Sequence, residues 1–264
     1  MNLSENPPRC LACGSNNFRK WTQSRDIEYY TTEDVFTYNK CSDCDALFID
    51  PVPQDRLSEI YPSNYYSFAA QKDSFINNVK KWLDANRFRS IFKQIDAPEL
   101  NVLDIGGGAG WQLNSLREID SRVKFTQVVD IDPKAEKLAR ENGHEYFCGI
   151  IENFTSDRKF HLILVLNLIE HVADPTAVLK KVGDLLADGG VILLQTPNYE
   201  SLDERLFRSK SWGGYHCPRH WVLFTKDSFL KTVERAGLSV KNFAYTQGAA
   251  FWAVSLLDFL KEKN

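Results

Sequence analysis

The sequence contains no long hydrophobic run, and it has little excess of charge of either sign. Of its 264 residues, 32 are Lys or Arg and 35 are Asp or Glu, which gives a formal net charge of -3. This balance creates no broad positive field that would attract nucleic acid or an anionic membrane. No stretch reaches the about 18 apolar residues that a membrane-spanning helix needs. The composition therefore argues against nucleic acid as a partner and predicts no transmembrane segment.

The beginning of the chain also lacks the pattern of a secretory signal. The stretch "MNLSENPPRC" has no basic segment followed by an apolar one, so we predict a cytoplasmic protein. Internal repeats and low-complexity tracts are missing as well. What is present is 43% hydrophobic and 25% charged residues, enough for a folded protein with a large core.

Four of the six cysteines form two Cys-x-x-Cys pairs, "CLAC" at Cys10 and Cys13 and "CSDC" at Cys41 and Cys44. In a reducing cytosol such pairs indicate metal binding rather than disulfides. Two such turns brought together offer four sulfurs to a tetrahedral zinc ion. We predict a structural zinc site, with the long gap between the pairs forming a hairpin. A redox role is disfavoured because neither pair opens a helix in a βαβ unit.

Three segments differ in their pattern. Residues 1–52 contain short alternating stretches such as "EDVFTYNKC" and predict a small β module. Residues 53–98 predict a linker followed by a helix from about 73 to 94. Residues 99–264 begin with apolar strands that alternate with amphipathic helices, a pattern typical of a parallel sheet covered by helices. Glycines 143 and 189 stand where helices are expected to stop. The predicted fold class is α/β.

The last third of the chain is less regular. We predict a long loop over about 198–225, a helix near 226–236 and a strand at "LSVKNFAY". The terminal "GAAFWAVSLLDFLKEKN" predicts an amphipathic helix, or else hides a final strand in "AAFWAVSLL". Such an apolar helix could also contact a partner or a membrane surface.

The stretch "VLDIGGGAGW" at 102–111 joins an apolar run to four glycines, Gly106, Gly107, Gly108 and Gly110. Position 111 is Trp, so the Gly-x-Gly-x-x-Gly pattern of dinucleotide sites is incomplete. Asp130 ends the next predicted strand, where a carboxylate can accept hydrogen bonds from ribose hydroxyls. The pattern favours a nucleoside ligand that carries no pyrophosphate.

Four motifs in order now carry a resemblance: "VLDIGGGAG", "VVDIDP", "NLIEHVADP" and "LADGGVILLQTPN". Over about residues 100–240 the chain resembles class I S-adenosylmethionine-dependent methyltransferases, close to the ubiquinone-biosynthesis O-methyltransferase type. The resemblance implies a Rossmann-like, mostly parallel sheet flanked by helices. The cysteine module followed by "YPSNYYSF" resembles the amino-terminal zinc ribbon of some sugar-modifying methyltransferases.

The resemblance also implies a set of cofactor-binding residues. Asp104 would orient the amino group of S-adenosylmethionine, Asp130 would hold its ribose, and Ile131 would lie along its adenine. Ile150 stands where the family usually has a polar residue, which leaves a backbone carbonyl there to accept from the adenine. The full set is Asp104, Gly106, Gly107, Gly108, Gly110, Asp130, Ile131, Ile150, Ile151, Asn167 and Leu168. The alternatives are a plain tight turn for the glycines and a helix cap for Asp130.

Histidines dominate the predicted acceptor side, since a neutral imidazole is a natural base near pH 7. The stretch "WGGYHCPRHW" at 212–221 supplies His216 and His220, and "IEHV" supplies His171 as a third candidate. The alternative is that these histidines only brace the loop and the sheet edge. The other predicted acceptor-side residues are Tyr61, Tyr65, Tyr66, Tyr215 and Arg219, of which the last either holds an anion or fixes the loop. No His and carboxylate set has persuasive ligand spacing, so a catalytic magnesium or zinc is not predicted.

The predicted function is methyl transfer from S-adenosylmethionine to a small hydroxylated acceptor such as a sugar, sugar nucleotide or glycan precursor. Two alternatives stay open: an RNA methyltransferase that uses the ribbon to bind RNA, and a non-catalytic cofactor-binding interaction module. The absence of an Asn/Asp-Pro-Pro-aromatic motif after the fourth strand of the domain argues against the first. The sequence does not predict an oligomeric state.

Overall fold

The computed structural model describes residues 7–62, 75–208, 212–246 and 248–261 of the chain, without the side chains of 75–82. The strands are β1 Phe18–Ser24, β2 Phe36–Cys41, β3 Leu47–Asp50, β4 Leu100–Ile105, β5 Val123–Asp130, β6 Glu145–Cys148, β7 Phe160–Leu166, β8 Leu186–Gln195 and β9 Val222–Leu223. The helices are α1 Leu57–Ile60, α2 Phe75–Phe92, α3 Trp111–Ile119, α4 Pro133–Glu141, α5 Pro175–Leu185, α6 Leu202–Phe207, α7 Lys226–Arg235 and α8 Ala250–Lys261.

The chain divides into two compact units. The first, here called the ribbon unit, comprises residues 1–63, 169–180 and 196–264. The second, the sheet unit, comprises residues 64–168 and 181–195. Each unit therefore draws on segments that are far apart in sequence.

The sheet unit contains a five-stranded parallel sheet in the order β6-β5-β4-β7-β8. Its strands are near-continuous apolar runs because helices cover a parallel sheet. The core on one face includes Val102, Leu113, Val128 and Leu164, all fully buried. The expected α/β class and Rossmann-like sheet are confirmed.

The helices of this unit begin and end as the sequence indicates. Asp132 caps α4 by accepting from the Lys134 amide at 2.9 Å, and Pro133 occupies the first turn. Gly143, with φ 77°, follows that helix. Gly189 does not end a helix, because α5 stops at Leu185. Instead it has φ 70° in an irregularity of register within β8.

The ribbon unit contains an antiparallel sheet in the order β1-β2-β3-β9. The first three strands form the predicted hairpin module, and β9 joins its edge from far along the chain. The core includes Tyr38, Leu47, Trp212 and Leu223. The pairing of β9 with β3 was not expected from sequence, since Val222–Leu223 is too short to show a period.

Two predictions for the last third need correction. Residues 238–245, which we predicted to be a strand, form no strand or helix. The side chains of Val240, Phe243 and Tyr245 are exposed, so the apolar alternation has no core to face. The stretch expected to be a loop contains the short helix α6. The terminal segment is the helix α8, in which Ser255 accepts from the Gly213 amide at 2.8 Å within the ribbon unit.

Within the described residues, none of the helices combines the length and apolar character that crossing a membrane requires.

Candidate functional site

The strand order of the parallel sheet changes direction at β4. β5 and β6 continue on one side of it, and β7 and β8 on the other. Ligands of open parallel sheets bind beyond the carboxyl ends of the strands at such a switch point. The residues predicted to bind the cofactor lie at the carboxyl ends of β4 and β5 or directly after β4, β5, β6 and β7, which places them at this edge of the sheet unit.

The loop after β4 has a backbone that other residues could not easily adopt. Gly106, Gly108 and Gly110 have φ values of 76°, 52° and 79°, in the left-handed region that penalises a Cβ. A Cβ on Gly107 would lie 2.6 Å from the Asp104 carboxyl carbon. A Cβ on Gly110 would overlap the His144 ring. The bare backbone is therefore a requirement of the loop itself. The amides of Gly106 and Gly110 donate to the carbonyls of Val129 and Gly107 within the same unit.

Asp130 ties this loop to the end of β5. Its carboxylate accepts from the Gly108 amide at 2.8 Å and from the Asp132 amide at 2.9 Å. A carboxylate has about four acceptor positions, so each oxygen can still accept a ribose hydroxyl. Burial raises the pKa of Asp130, and these amide bonds oppose the rise. The helix-cap alternative fails because Asp132 caps α4.

Asp104 is the buried acid of the site, with 4% of its surface exposed. Its carboxyl makes no side-chain hydrogen bond to any of the described residues. Burial, and then the charge of Asp130, raises the pKa of Asp104 to about 7. A buried carboxyl without a partner is costly, and a cationic ligand would relieve the cost by restoring the ionised form. The residues thus fit the positively charged S-adenosylmethionine.

The predicted adenine contacts divide into two kinds. Ile131 and Ile150 are 44% and 41% exposed, which suits side chains that flank a planar base. Ile151 is buried, and its carbonyl accepts from the Phe154 amide at 3.1 Å. The Ile150 carbonyl likewise accepts from Asn153. Each carbonyl retains one lone pair for the adenine amino group.

The segment after β7 returns to the glycine loop. Asn167 has φ 52°, a conformation that Asn tolerates better than most residues. The backbone amide of Asn167 donates to the backbone carbonyl of Gln195 at 2.8 Å. The Leu168 side chain lies 3.2 Å from where a Cβ on Gly106 would be. Both residues are therefore placed at the same edge as the loop.

Sequence reasoning missed His144, whose ring packs against Gly110 of the loop after β4. It is 3% exposed, and its Nδ1 lies 2.8 Å from the Thr126 hydroxyl. Burial, with a contribution from Arg117, lowers the pKa of His144 to about 4. A lone histidine before a short strand carries no motif that would have revealed this contact.

The ribbon unit brings the four paired cysteines together. The Sγ atoms of Cys10 and Cys44 are 3.6 Å apart, as are those of Cys13 and Cys41. All four sulfurs lie within 4.8 Å of one another. Tetrahedral zinc with Zn–S bonds of about 2.3 Å separates its sulfurs by about 3.8 Å. The cluster is therefore compatible with the small zinc ribbon predicted from the sequence.

The three candidate histidines also lie together in the ribbon unit. The ring centroids of His171 and His220 are 4.8 Å apart, and those of His216 and His220 are 5.0 Å apart. His216 Nδ1 lies 2.6 Å from a carboxylate oxygen of Glu28. Its φ of 38° is strained for a residue with a side chain, and such strain clusters at functional sites.

The other two histidines are held in neutral form. Burial lowers the pKa of His171 to about 3, and it lowers the pKa of His220 well below its ordinary value. Glu170, which sequence reasoning considered only as a brace, is fully buried beside them. Burial raises the pKa of Glu170 to about 8. Its Oε2 accepts from the Thr196 hydroxyl at 2.9 Å.

The predicted acceptor-side residues Arg219 and Tyr215 are buried. Arg219 donates to Asp26 at 2.8 Å and to the Ile60 carbonyl at 2.7 Å, which is the geometry of the loop-fixing alternative. The ring of Tyr215 packs against that of Tyr38, with the two ring centroids 5.0 Å apart. Tyr61 is half-buried, and its hydroxyl lies 3.0 Å from His171 Nδ1. The other two predicted acceptor residues, Tyr65 and Tyr66, lie outside the described residues.

Comparison with known proteins finds a matching family and similar curated proteins. The family described as "Methyltransferase domain" matches residues 68–242. The chain is 28% identical to the ubiquinone biosynthesis O-methyltransferase of Bradyrhizobium sp. (strain ORS 278), over 55% of this chain and 64% of that protein. It is 26% identical to the protein of the same name from Xanthomonas oryzae pv. oryzae (strain PXO99A), over 53% and 66%.

The matches to these curated relatives therefore span slightly under two thirds of their length. Among solved structures, the plantazolicin methyltransferase BpumL is similar with a TM-score of 0.50 and 18% identity, covering 81% of this chain and 86% of that one. This likeness concerns the fold alone. Because the family match spans residues 68–242, more than half of the chain, the protein belongs to the methyltransferase domain family and has the class I S-adenosylmethionine-dependent methyltransferase fold.

Proposed function

We propose that the protein transfers a methyl group from S-adenosylmethionine to a hydroxyl of a small acceptor. The observation that carries the proposal is the pairing of two carboxyls, Asp104 and Asp130, with the bare backbone of the 106–110 loop at the switch point. The curated relatives are named as O-methyltransferases, which favours a hydroxyl. The near-neutral charge favours a small acceptor over a polyanion.

In this proposal each residue at the edge of the sheet has a distinct task. Asp130 accepts hydrogen bonds from the ribose hydroxyls, and Asp104 balances the positive charge of the ligand. Ile131 and Ile150 flank the adenine. The cofactor supplies an electrophilic methyl group, so the protein has mainly to orient the acceptor and exclude water.

The proton of the acceptor hydroxyl must leave during methyl transfer. We assign its removal to His216, because the Glu28 carboxylate 2.6 Å from Nδ1 fixes the ring and stabilises the imidazolium that forms. We assign Arg219 to fixing the loop. Sugars, sugar nucleotides and glycan precursors are the acceptors that we propose to screen first.

We further propose that Cys10, Cys13, Cys41 and Cys44 bind a structural zinc ion. Two cysteine turns closed on one tetrahedral ion would fix the turn before β1 relative to the turn between β2 and β3. The four-sulfur cluster supports this assignment.

The test is transfer of a labelled methyl group from S-adenosylmethionine to a panel of hydroxylated acceptors. We expect labelling of at least one acceptor class, and a loss of about a hundredfold or more in His216→Asn with cofactor binding retained. His161→Asn, which changes a histidine of β7, is the control and should keep its rate. Bound cofactor with no transfer to any acceptor would contradict the proposal.

A further inference from the structure

Asp26 is a buried carboxylate to which the proposed reaction gives no task. It lies in the loop between β1 and β2, two residues before Glu28, and only 2% of its surface is exposed. Removing an ionised carboxylate from water is costly unless hydrogen-bond donors surround it. The donors around Asp26 therefore show what the fold gains by burying it.

One set of donors belongs to the loop that carries Glu28. Oδ1 of Asp26 accepts from the backbone amides of Glu28 at 3.2 Å and of Tyr29 at 2.9 Å. Oδ2 accepts from the backbone amide of Thr31 at 2.9 Å and from its hydroxyl at 2.7 Å. An Asp side chain often folds its own backbone into a turn in this way. The carboxylate thus fixes the backbone of Glu28.

The second set of donors belongs to the segment that carries His216. The fully buried guanidinium of Arg219 donates to both oxygens of Asp26, at 3.3 Å to Oδ1 and 2.8 Å to Oδ2. The backbone amide of Arg219 donates to the His216 carbonyl at 2.8 Å, so both residues belong to one turn. Asp26 and Arg219, which are 193 residues apart in sequence, thereby join the two segments.

The ion pair keeps Asp26 charged. Burial by itself would raise the pKa of Asp26, but the hydrogen bonds from Arg219, Thr31 and Tyr29 outweigh burial and lower that pKa below its ordinary value. An ionised carboxylate accepts at both oxygens and donates at neither. All of the surrounding N–H and O–H groups are therefore satisfied at once.

Glu28 and His216 meet where these two segments are joined. A Glu28 carboxylate oxygen lies 2.6 Å from His216 Nδ1. The Glu28 side chain is 24% exposed, and a glutamate has three rotatable bonds whose freedom opposes a fixed contact. A backbone that is already fixed reduces the number of orientations that must be given up.

We infer that Asp26 is a positioning residue for His216, because it holds the Glu28 turn and Arg219 so that the Glu28 carboxylate meets the Nδ1 hydrogen. The inference rests on the proposed function, in which His216 removes the acceptor proton. A carboxylate at Nδ1 keeps the neutral ring in the tautomer whose lone pair is on Nε2. Asp26 itself touches neither the acceptor nor the cofactor in this role.

Proton NMR of the full-length chain with ¹⁵N-labelled histidine tests the inference without acceptor or cofactor. An imidazole N–H that donates to a carboxylate resonates far downfield of other imidazole protons. We expect such a resonance in the wild type, and its loss in His216→Asn assigns it. Asp26→Asn should also lose it, because the asparagine amide turns an N–H group toward donors that need an acceptor.

Asp34→Asn is the matched control. Asp34 belongs to the same loop and pairs with Arg56 at 2.6 Å, but it is exposed. This variant should keep the wild-type resonance. In methyl transfer, Asp26→Asn should lower kcat about a hundredfold, the effect of a small misplacement of a catalytic group, and leave the KM for S-adenosylmethionine unchanged.

Thr31→Val decides the question if Asp26→Asn folds poorly. Valine keeps the shape of threonine and removes only the hydroxyl that donates to Asp26, so the downfield resonance should move upfield in a folded chain. The wild-type resonance in folded Asp26→Asn or Thr31→Val, or no downfield resonance in the wild type, would overturn the inference. Because the sample holds neither acceptor nor cofactor, this result is separate from the methyl-transfer test.

Discussion

At the scale of single residues, the glycines of the 106–110 loop are required by their neighbours before any ligand binds. The sequence predicted close approach of a ligand. The structure adds that Gly107 is confined by the Asp104 carboxyl and Gly110 by the His144 ring. These two contacts depend on tertiary packing, which the glycine pattern does not encode. The sequence therefore predicts the nature of the site. It explains only in part why each position of the loop must be glycine.

Gly110→Ala should destabilise the protein more than its backbone conformation alone explains. The left-handed φ costs about 1–2 kcal/mol for a residue with a Cβ, and overlap with His144 adds about 1–3 kcal/mol. Gly189→Ala is the matched control, because Gly189 has φ 70° and nothing within 4 Å of its Cβ position. Urea denaturation measures both. Equal losses in the two variants would show that the His144 contact has no energetic effect.

Asp104 makes stability depend on pH in a direction that its burial determines. Its pKa is about 7 in the folded protein and about 4 in the unfolded chain. Between these values the folded state keeps a proton that the unfolded state has lost, so the free energy of unfolding falls as pH rises. Relative to Asp104→Asn, the wild type should lose up to about 4 kcal/mol from pH 4 to 7 and no more above.

Denaturation of the cofactor-free protein at several pH values measures this difference. Asp157→Asn, at an exposed position, is the control and should differ from wild type by a constant amount. A constant difference for Asp104→Asn as well would mean that the Asp104 carboxyl titrates normally.

At the scale of elements, periodicity predicts the strands and helices that face a core. β4 to β7 and α2 to α4 occur where apolar runs and amphipathic stretches placed them. The helix expected to stop at Gly189 ends instead at Leu185, and β8 begins at Leu186. The stretch 238–245 has the same alternation, yet the side chains of Val240, Phe243 and Tyr245 are exposed and no strand forms. β9 shows the converse, since two residues form a strand because the edge of β3 is available. In both cases, whether a strand forms depends on the availability of a pairing partner that lies far away in sequence.

The cysteine cluster predicts that β1 to β3 depend on metal. Cys41→Ser should remove one zinc ion per chain and lower the melting temperature, because the structural site contributes folding free energy directly. Cys148→Ser, at an exposed cysteine outside the cluster, should change neither. Metal content and thermal unfolding are the measurements. Full zinc content in Cys41→Ser would contradict the four-thiolate assignment.

At the scale of the whole molecule, connectivity hides the grouping of the histidines. The sequence division into 1–52, 53–98 and 99–264 stays a prediction about sequence modules. The compact units instead join residues 1–63 to 169–180 and 196–264. That grouping brings Glu28 to His216 and Glu170 to His220. No periodicity or spacing in the chain relates these partners, so neither pair could be derived from it.

The central claim is that the edge of the parallel sheet binds S-adenosylmethionine through Asp130. Calorimetric titration of the purified full chain with S-adenosylmethionine tests it most directly. We predict saturable binding that weakens about ten- to a hundredfold in Asp130→Asn, since a lost hydrogen bond to a charged group is worth about 1.5–3 kcal/mol. Asp157→Asn should bind as wild type does. No binding to the wild type, or equal affinity in Asp130→Asn, would contradict the account.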